Sequence, residues 1–162
     1  MTHTRTTGFT LVELISVMII VGILAVFALP RFFDRQIYDA RRFYEETISA
    51  LRYAQKAAIA QRRLVCVSFP GNNSVLLNIA SAAPETNPVS CNTPLSGPNG
   101  GSPYTVTAQG GVTFTGSPGG FNFDAQGRPT NASGNTIALP ATIQILGAAN
   151  SITIEGVTGY VH

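Results

Sequence analysis

The sequence predicts an α+β fold in which one long N-terminal membrane helix packs on a head of short antiparallel β-strands. Residues 9–30 are almost uniformly apolar, and helical periodicity then continues to residue 63. Beyond residue 63 the pattern changes to short β-rich runs separated by Gly, Pro and Asn clusters. With 162 residues, the chain is long enough for one hydrophobic core but not for two.

The apolar run contains one carboxylate, Glu13, close to its start. About 20 predominantly apolar residues suffice to cross a bilayer. An acidic residue at the centre of such a helix costs about 2.5–3.5 kcal/mol, and somewhat less near its end, so Glu13 should have a partner or a function. The natural partner is an amine. If the chain is cut after Gly8, Phe9 becomes a new amino terminus one helical turn from Glu13.

Gly8, Phe9, Glu13 and the apolar run together resemble the processing site of type IV prepilins and type II secretion pseudopilins. The resemblance implies a prepilin peptidase that cuts between Gly8 and Phe9 and methylates the amine of Phe9. It also implies that Glu13 recruits or aligns the next subunit during assembly. Pro30 stands where many members of the family kink this helix, since proline lacks an N–H and clashes with the preceding turn.

The resemblance divides the chain into four parts. These are the prepilin leader (1–8), the transmembrane and assembly helix (9–30), its continuation into the head (31–63) and a periplasmic β-rich head (64–162). It implies a single pass through the inner membrane, with the head in the periplasm and the subunit incorporated into a filament.

Flanking charge favours the opposite orientation. Arg5 precedes the apolar run, whereas four arginines follow it closely: Arg31, Arg35, Arg41 and Arg42. The positive-inside rule would place the more basic side in the cytoplasm. We adopt the orientation that the resemblance implies, because prepilin translocation depends on more than flanking charge.

Two other interpretations of the N-terminus are weaker. An ordinary secretory signal has an apolar region of about 7–15 residues and a small-residue cleavage site after it. Here the run is longer, contains Glu13, and lacks a small-x-small ending at residues 25–30. A simple membrane anchor explains the length of the run but leaves Glu13 unexplained.

Between residues 31 and 63 the pattern predicts a continuing helix with one buried face. Apolar residues recur at three- and four-residue spacing, at Ala40, Tyr44, Ile48, Leu51, Ala54 and Ala58. The charged residues lie largely off this stripe, on a face that is either solvated or in contact with adjacent subunits. Most of the basic residues of the chain lie here, whereas the part from residue 64 onward is mildly acidic.

The remainder of the chain predicts two small sheets. Residues 64–69 and 74–79 form a hairpin around the turn cluster 70–73, and 80–103 is an irregular surface loop. Further strands are predicted near 104–108, 112–114, 121–123, 136–139, 142–146 and 151–154.

Two segments of the head narrow the resemblance. Phe-x-Phe-Asp-x-x-Gly-Arg-Pro at 121–129 and the closing segment 152–160 are similar to the H-type minor pseudopilins and to FimT-like minor pilins, including mannose-sensitive haemagglutinin (MSHA) pilus proteins. The implied function is a minor pilin or pseudopilin that initiates or caps a type IV pilus or a type II secretion pseudopilus. Turn chemistry and core filling also explain both segments.

Cys66 and Cys91 are the two cysteines of the chain. In the oxidising periplasm they can form a disulfide, which would stabilise the head by roughly 3 kcal/mol in the chain-entropy model. The alternative is two separate thiols. A structural zinc site is not expected from two cysteines and one usable histidine.

The sequence offers little support for catalysis. Its two histidines, His3 and His162, lie in the predicted leader and at the last residue, and Asp124 and Glu155 are isolated carboxylates. We therefore expect no enzyme, no cofactor and no metal.

DNA binding is the main alternative function. Some FimT-like relatives bind DNA through arginines near the C-terminus, but residues 159–162 here contain none. Phosphate contacts require Lys or Arg, and this head offers Arg128, with Tyr160 as a stacking residue. Nucleic acid is therefore not expected as a partner. The alternatives to a structural minor pilin are a DNA-binding minor pilin for DNA uptake and a membrane-anchored periplasmic domain of other function.

Overall fold

The computed structural model describes residues 9–82, 90–131, 133–137 and 141–162, and only the backbone of residues 26–34. Within these residues one long helix, α1 (Leu11–Gln61), precedes a series of short strands. The strands are β1 (Val65–Ser68), β2 (Ser74–Ile79), β3 (Thr93–Pro94), β4 (Tyr104–Thr107), β5 (Phe121–Phe123), β6 (Pro129–Thr130), β7 (Ala141–Ile143) and β8 (Ile152–Ile154). The predicted α+β fold is confirmed.

The chain forms two compact units, Met1–Arg35 and Gln36–His162, and α1 contributes residues to both. We call the second unit, which includes residues 36–61 of α1 as well as the strands, the head. Its core includes residues of α1 and of both sheets.

Local chemistry sets both ends of α1. The Thr10 hydroxyl accepts a hydrogen bond from the Glu13 N–H at 3.3 Å, which makes Thr10 the N-cap. At the other end Arg62 adopts a left-handed conformation, with φ of 49°. The N–H groups of Arg62 and Arg63 then bond the carbonyls of Ile59 and Ala58, which is the Schellman arrangement. The helix therefore ends two residues before the predicted position.

The buried face of α1 follows the predicted stripe. Ala40, Ile48, Leu51, Ala54 and Ala58 are buried and Tyr44 is half-buried. Phe43, Thr47, Ala50 and Ala57 are buried as well, so the face is wider than predicted. This width lets one helix cover the core of the head.

The strands form two antiparallel sheets, as predicted. The larger sheet has the order β3-β2-β1-β5-β6, with β4 also paired to β2, and the smaller sheet is β7-β8. The predicted hairpin is β1–β2, in which Val65 lies opposite Ile79. On its other side, β1 pairs with β5, so Val65 also lies opposite Phe123.

Several predicted strands differ from the observed ones. The segment predicted as a strand at 112–114 makes only an isolated bridge, from Phe114 to Ile145. In segment 136–139, Thr136 makes an isolated bridge to Thr130. Residues 138 and 139 lie outside the described part. The strand predicted at 142–146 is shifted to β7. Segment 80–103 is not wholly irregular, because it contains β3, and β6 begins at Pro129, where no strand was predicted. These pairings are too short to leave a periodic pattern.

A disulfide joins Cys66 in β1 to Cys91, 25 residues along the chain, with their Cα atoms 6.0 Å apart. Cys91 lies just before β3, which pairs with the end of β2. The bond therefore fastens the segment leading into β3 to the centre of the larger sheet.

Candidate functional site

The start of α1 exposes apolar side chains on every side. We call residues 9–24 the apolar segment. Its large side chains have exposed fractions from 48% to 81%: Phe9, Leu11, Val12, Leu14, Ile15, Val17, Met18, Ile19, Ile20, Val21, Ile23 and Leu24. A helix that is apolar all round is suited to a surrounding apolar medium or to other helices, and a large exposed apolar surface marks an interaction site.

No helix in the described part of the chain combines the length and the apolar character that a membrane crossing requires.

Glu13 lies in the first turn of α1 with its side chain exposed. Its backbone N–H bonds the Thr10 hydroxyl, and its backbone carbonyl accepts the Ser16 hydroxyl at 2.9 Å. The carboxylate has no partner among the described residues. A carboxylate near a helix N-terminus is favoured by the helix dipole by about 0.3–1 kcal/mol. That gain is smaller than the cost of placing a charge in an apolar medium, so in such a medium Glu13 would need a further partner.

Thr10 is a residue that our reading of the sequence missed. The signal was present, since Thr10-x-x-Glu13 matches the capping-box pattern that marks a helix start.

The structure describes some of the other residues of the predicted processing site and not others. Phe9 is exposed and immediately precedes the N-cap residue. Gly8 and the rest of the predicted leader lie outside the described residues. Position 30 lies within α1, but the side chain of Pro30 is outside the described part, so the kink stays a prediction.

In the head, Arg128 is held by a carboxylate. Its Nε and Nη2 atoms lie 2.9 and 2.8 Å from Asp124 Oδ2. The other oxygen, Asp124 Oδ1, accepts the N–H groups of Gln126 and Arg128 at 2.9 and 2.8 Å. Turn chemistry thus accounts for this segment. The guanidinium that would have contacted DNA phosphates is already paired, which does not favour the DNA-binding alternative.

Two side chains of α1 hold the C-terminal segment. Arg52 Nε donates to the Val161 carbonyl at 3.0 Å. Gln55 Nε2 donates to the carbonyls of Gly127 and Thr158, at 3.1 and 2.9 Å. Gln55 therefore fixes two separate turns to one point on the helix. The spacing of residues in the sequence gave no sign of this role.

A groove opens between α1 and the loop that leads to β4. Tyr53 donates its hydroxyl to the Ser96 carbonyl at 2.7 Å and packs edge-on against Tyr104, with ring centroids 5.4 Å apart. Burial raises the pKa of Tyr104 above its ordinary value, and the nearby Glu46 and Tyr53 raise it further. The loop is thereby fixed on the helix by an aromatic pair and a hydrogen bond.

Within the described residues, no three His, Cys, Asp or Glu side chains are grouped so that they could hold a metal ion. Cys66 and Cys91 are bonded to each other.

Part of the chain is similar to known pilins. A fimbrial protein of Neisseria meningitidis serogroup B is 44% identical over 72 residues, which cover 44% of this chain and 40% of that protein. Type IV major pilin protein PilE1 of Neisseria gonorrhoeae is 43% identical over 72 residues, covering 44% of this chain and 41% of its own length. The chain thus spans about two fifths of the length of these relatives. No family model matches the chain.

The fold has a counterpart among solved structures. The crystal structure of the type IV minor pilin FimU from Pseudomonas aeruginosa strain PAO1 superposes with a TM-score of 0.51 and 15% identity, over 75% of this chain and 90% of that one. A second crystal form of FimU gives a TM-score of 0.51 with 17% identity, over 77% and 87% of the two chains. The predicted resemblance is therefore confirmed: the chain is similar in sequence to type IV pilins and has the type IV pilin fold.

Proposed function

We propose that this chain is a structural subunit of a pilin-type filament. The observation that carries the proposal is the apolar segment, whose helix exposes large apolar side chains on all sides and has one carboxylate in its first turn. Lateral packing of such helices removes this surface from water, and each buried CH₂ group contributes about 0.8 kcal/mol. A polar group inside an apolar bundle is retained where it has a specific role.

The finer proposal is a minor pilin or pseudopilin that initiates or caps a type IV pilus or a type II secretion pseudopilus. The fold shared with the minor pilin FimU supports it. The subunit would cross the inner membrane once, with the head in the periplasm, where the Cys66–Cys91 disulfide suits the oxidising conditions. Its partners would be a prepilin peptidase and other pilin or pseudopilin subunits, and its role structural rather than catalytic.

Glu13 provides the test of this proposal. We propose that its carboxylate pairs with the methylated amine of Phe9, in its own or a neighbouring subunit. In a strain that lacks the gene, Glu13→Leu should therefore insert into the membrane at normal or higher levels but fail to restore pilus assembly or secretion. The measurement is filament formation or secretion, with membrane abundance of the variant determined in parallel.

Ser16→Ala is the matched control, because it removes another polar group from the same exposed segment, one turn away. It should assemble like the wild type. Full activity of Glu13→Leu at normal abundance would contradict the assembly role, because a simple anchor needs no carboxylate.

A further inference from the structure

The head carries an open groove on the outer side of α1. Its volume is about 380 Å³, and its walls include Glu45, Ser49, Arg52 and Lys56 from the helix and Pro98 and Tyr104 from the loop. Two cations face one carboxylate there, so the groove is net positive. Lys56 is exposed and has no partner among the described residues. Such a groove suits a carboxylate that is accompanied by an aromatic or aliphatic side chain.

The C-terminal turn, residues 155–160, presents that chemistry. Its Val157 and Tyr160 side chains are 73% and 57% exposed. The exposed Glu155 carboxylate lies 3.4 Å from His162 Nε2, a contact that is an ion pair only when the imidazole is protonated. The turn is well fixed, because the Glu155 N–H bonds the Tyr160 carbonyl and Gln55 bonds Thr158.

The groove and the turn lie on two flanks of α1 with Arg52 between them, since Arg52 lines the groove and also bonds the Val161 carbonyl next to the turn. Tyr53 holds the loop that forms one wall of the groove, and Gln55 holds the turn. Two residues along a helix correspond to a rotation of about 200°, so these two side chains point in nearly opposite directions. Each copy therefore has two complementary surfaces at different places, which is the condition for a heterologous contact that repeats from copy to copy.

We propose that a second copy of this chain inserts its C-terminal turn into the groove of the first, with Glu155 of one copy beside Lys56 of the other. The contact repeats head to tail, so copies follow one another at the start of a filament. This inference rests on the proposed function and deepens it by naming the contact between heads.

The contact between two heads is weak in isolation. Exposed ion pairs contribute about 0–1 kcal/mol. Copies held side by side by their apolar segments meet at a high effective concentration, so a weak contact between heads suffices to set their order. The test therefore requires the full chain.

Charge reversal tests the contact. Full-length copies with two different tags are expressed together, extracted in a mild detergent and purified on one tag, and the amount of the other copy is measured. Lys56→Glu in both copies places like charges opposite each other, and so does Glu155→Lys in both copies. Each should reduce co-purification by about tenfold or more relative to the wild type. Arg52 is not a suitable position, because it also bonds the Val161 carbonyl.

Mixing the two variants gives the sharper result. A Lys56→Glu copy and a Glu155→Lys copy have opposite charges at both of their mutual contacts but like charges with copies of their own kind. Together they should co-purify at close to the wild-type level. Arg62→Glu makes the same charge change at the end of α1, outside the groove, and should have no effect. Thermal unfolding of each variant checks that the head remains folded.

The proposal is overturned if either reversed variant co-purifies like the wild type, or if the mixture does no better than each variant alone. Either result leaves the proposed function intact, provided that the wild type enters filaments. Failure of the wild type itself to enter filaments would instead refute the proposed function.

Discussion

Gln55, Gly127 and Gly159 meet at a crowded point beside α1. Gln55 bonds the carbonyls of Gly127 and Thr158. Gly159 has φ of 70° and its Cα faces the Gly127 carbonyl oxygen, so any Cβ there would overlap that oxygen. A side chain at position 159 is thus excluded both by the backbone conformation and by space.

Gly159→Ala should lower the free energy of unfolding by about 2–4 kcal/mol, from left-handed strain plus displacement of the Gly127 turn. Gly100→Ala is the matched control. Gly100 has φ of 79°, but nothing lies within 4 Å of an added Cβ. Gly100→Ala should therefore lower the free energy of unfolding only through backbone strain, by about 1–2 kcal/mol. Chemical unfolding of the full chain in mild detergent measures both values. If both variants lower the free energy of unfolding by the same amount, the crowding at Gly159 does not contribute to stability.

Among the elements, those with a clear periodic pattern were predicted and those without one were not. The stripe on α1 and the alternation in β1 and β2 each involve several residues, so their buried faces could be read from the sequence. β3 and β6 have two residues each and contain a proline, which argues against a strand from sequence alone. β3 and β6 lie at the two ends of the larger sheet, where a missing N–H costs little.

The candidate site shows the same division. Phe9 and Glu13 could be singled out because a charge in an apolar run is costly, and this cost depends only on local sequence. The groove and the C-terminal turn could not, because the contacts that form them join residues 43 to 109 positions apart, which only the packing of α1 brings together.

At the level of elements, the disulfide is the bond whose removal should matter most. Replacing both cysteines, as Cys66→Ser with Cys91→Ser, should lower the free energy of unfolding by about 3 kcal/mol, because the unfolded chain regains the freedom of a loop of this length. Unfolding of the wild type with and without a reducing agent gives an independent value. If reduction leaves the unfolding midpoint unchanged, the loop is not constrained by this bond.

For the whole molecule, the mature N-terminus is the most direct prediction. In cells that contain a prepilin peptidase, the protein should begin at Phe9 and carry an N-methyl group, as intact-mass measurement would show. Gly8→Val should block the cut, because a branched side chain does not fit where close backbone approach is needed. A mature chain that still begins at Met1 would remove the basis for pairing the Phe9 amine with Glu13.

The two units offer a neighbour different kinds of contact. The apolar segment is exposed on all sides, and its contacts do not depend on a particular rotation of the helix. The head has a fixed groove and a fixed turn, and their charged groups can meet those of a neighbour only in a particular orientation. The proposed filament would therefore take most of its cohesion from the first unit and the order of its subunits from the second.

An evenly apolar helix also has a consequence for movement. Lipid tails and the side chains of other apolar helices present similar surroundings to it, so transfer from one to the other changes its solvation free energy little. The proposed subunit would therefore leave the bilayer and enter a filament, or return, without a large solvation barrier from its apolar side chains. Glu13 would be the exception if it pairs with the Phe9 amine of a neighbouring subunit, because that partner is present only in the filament. In the proposal, that single residue would favour transfer from the bilayer into the filament over the return.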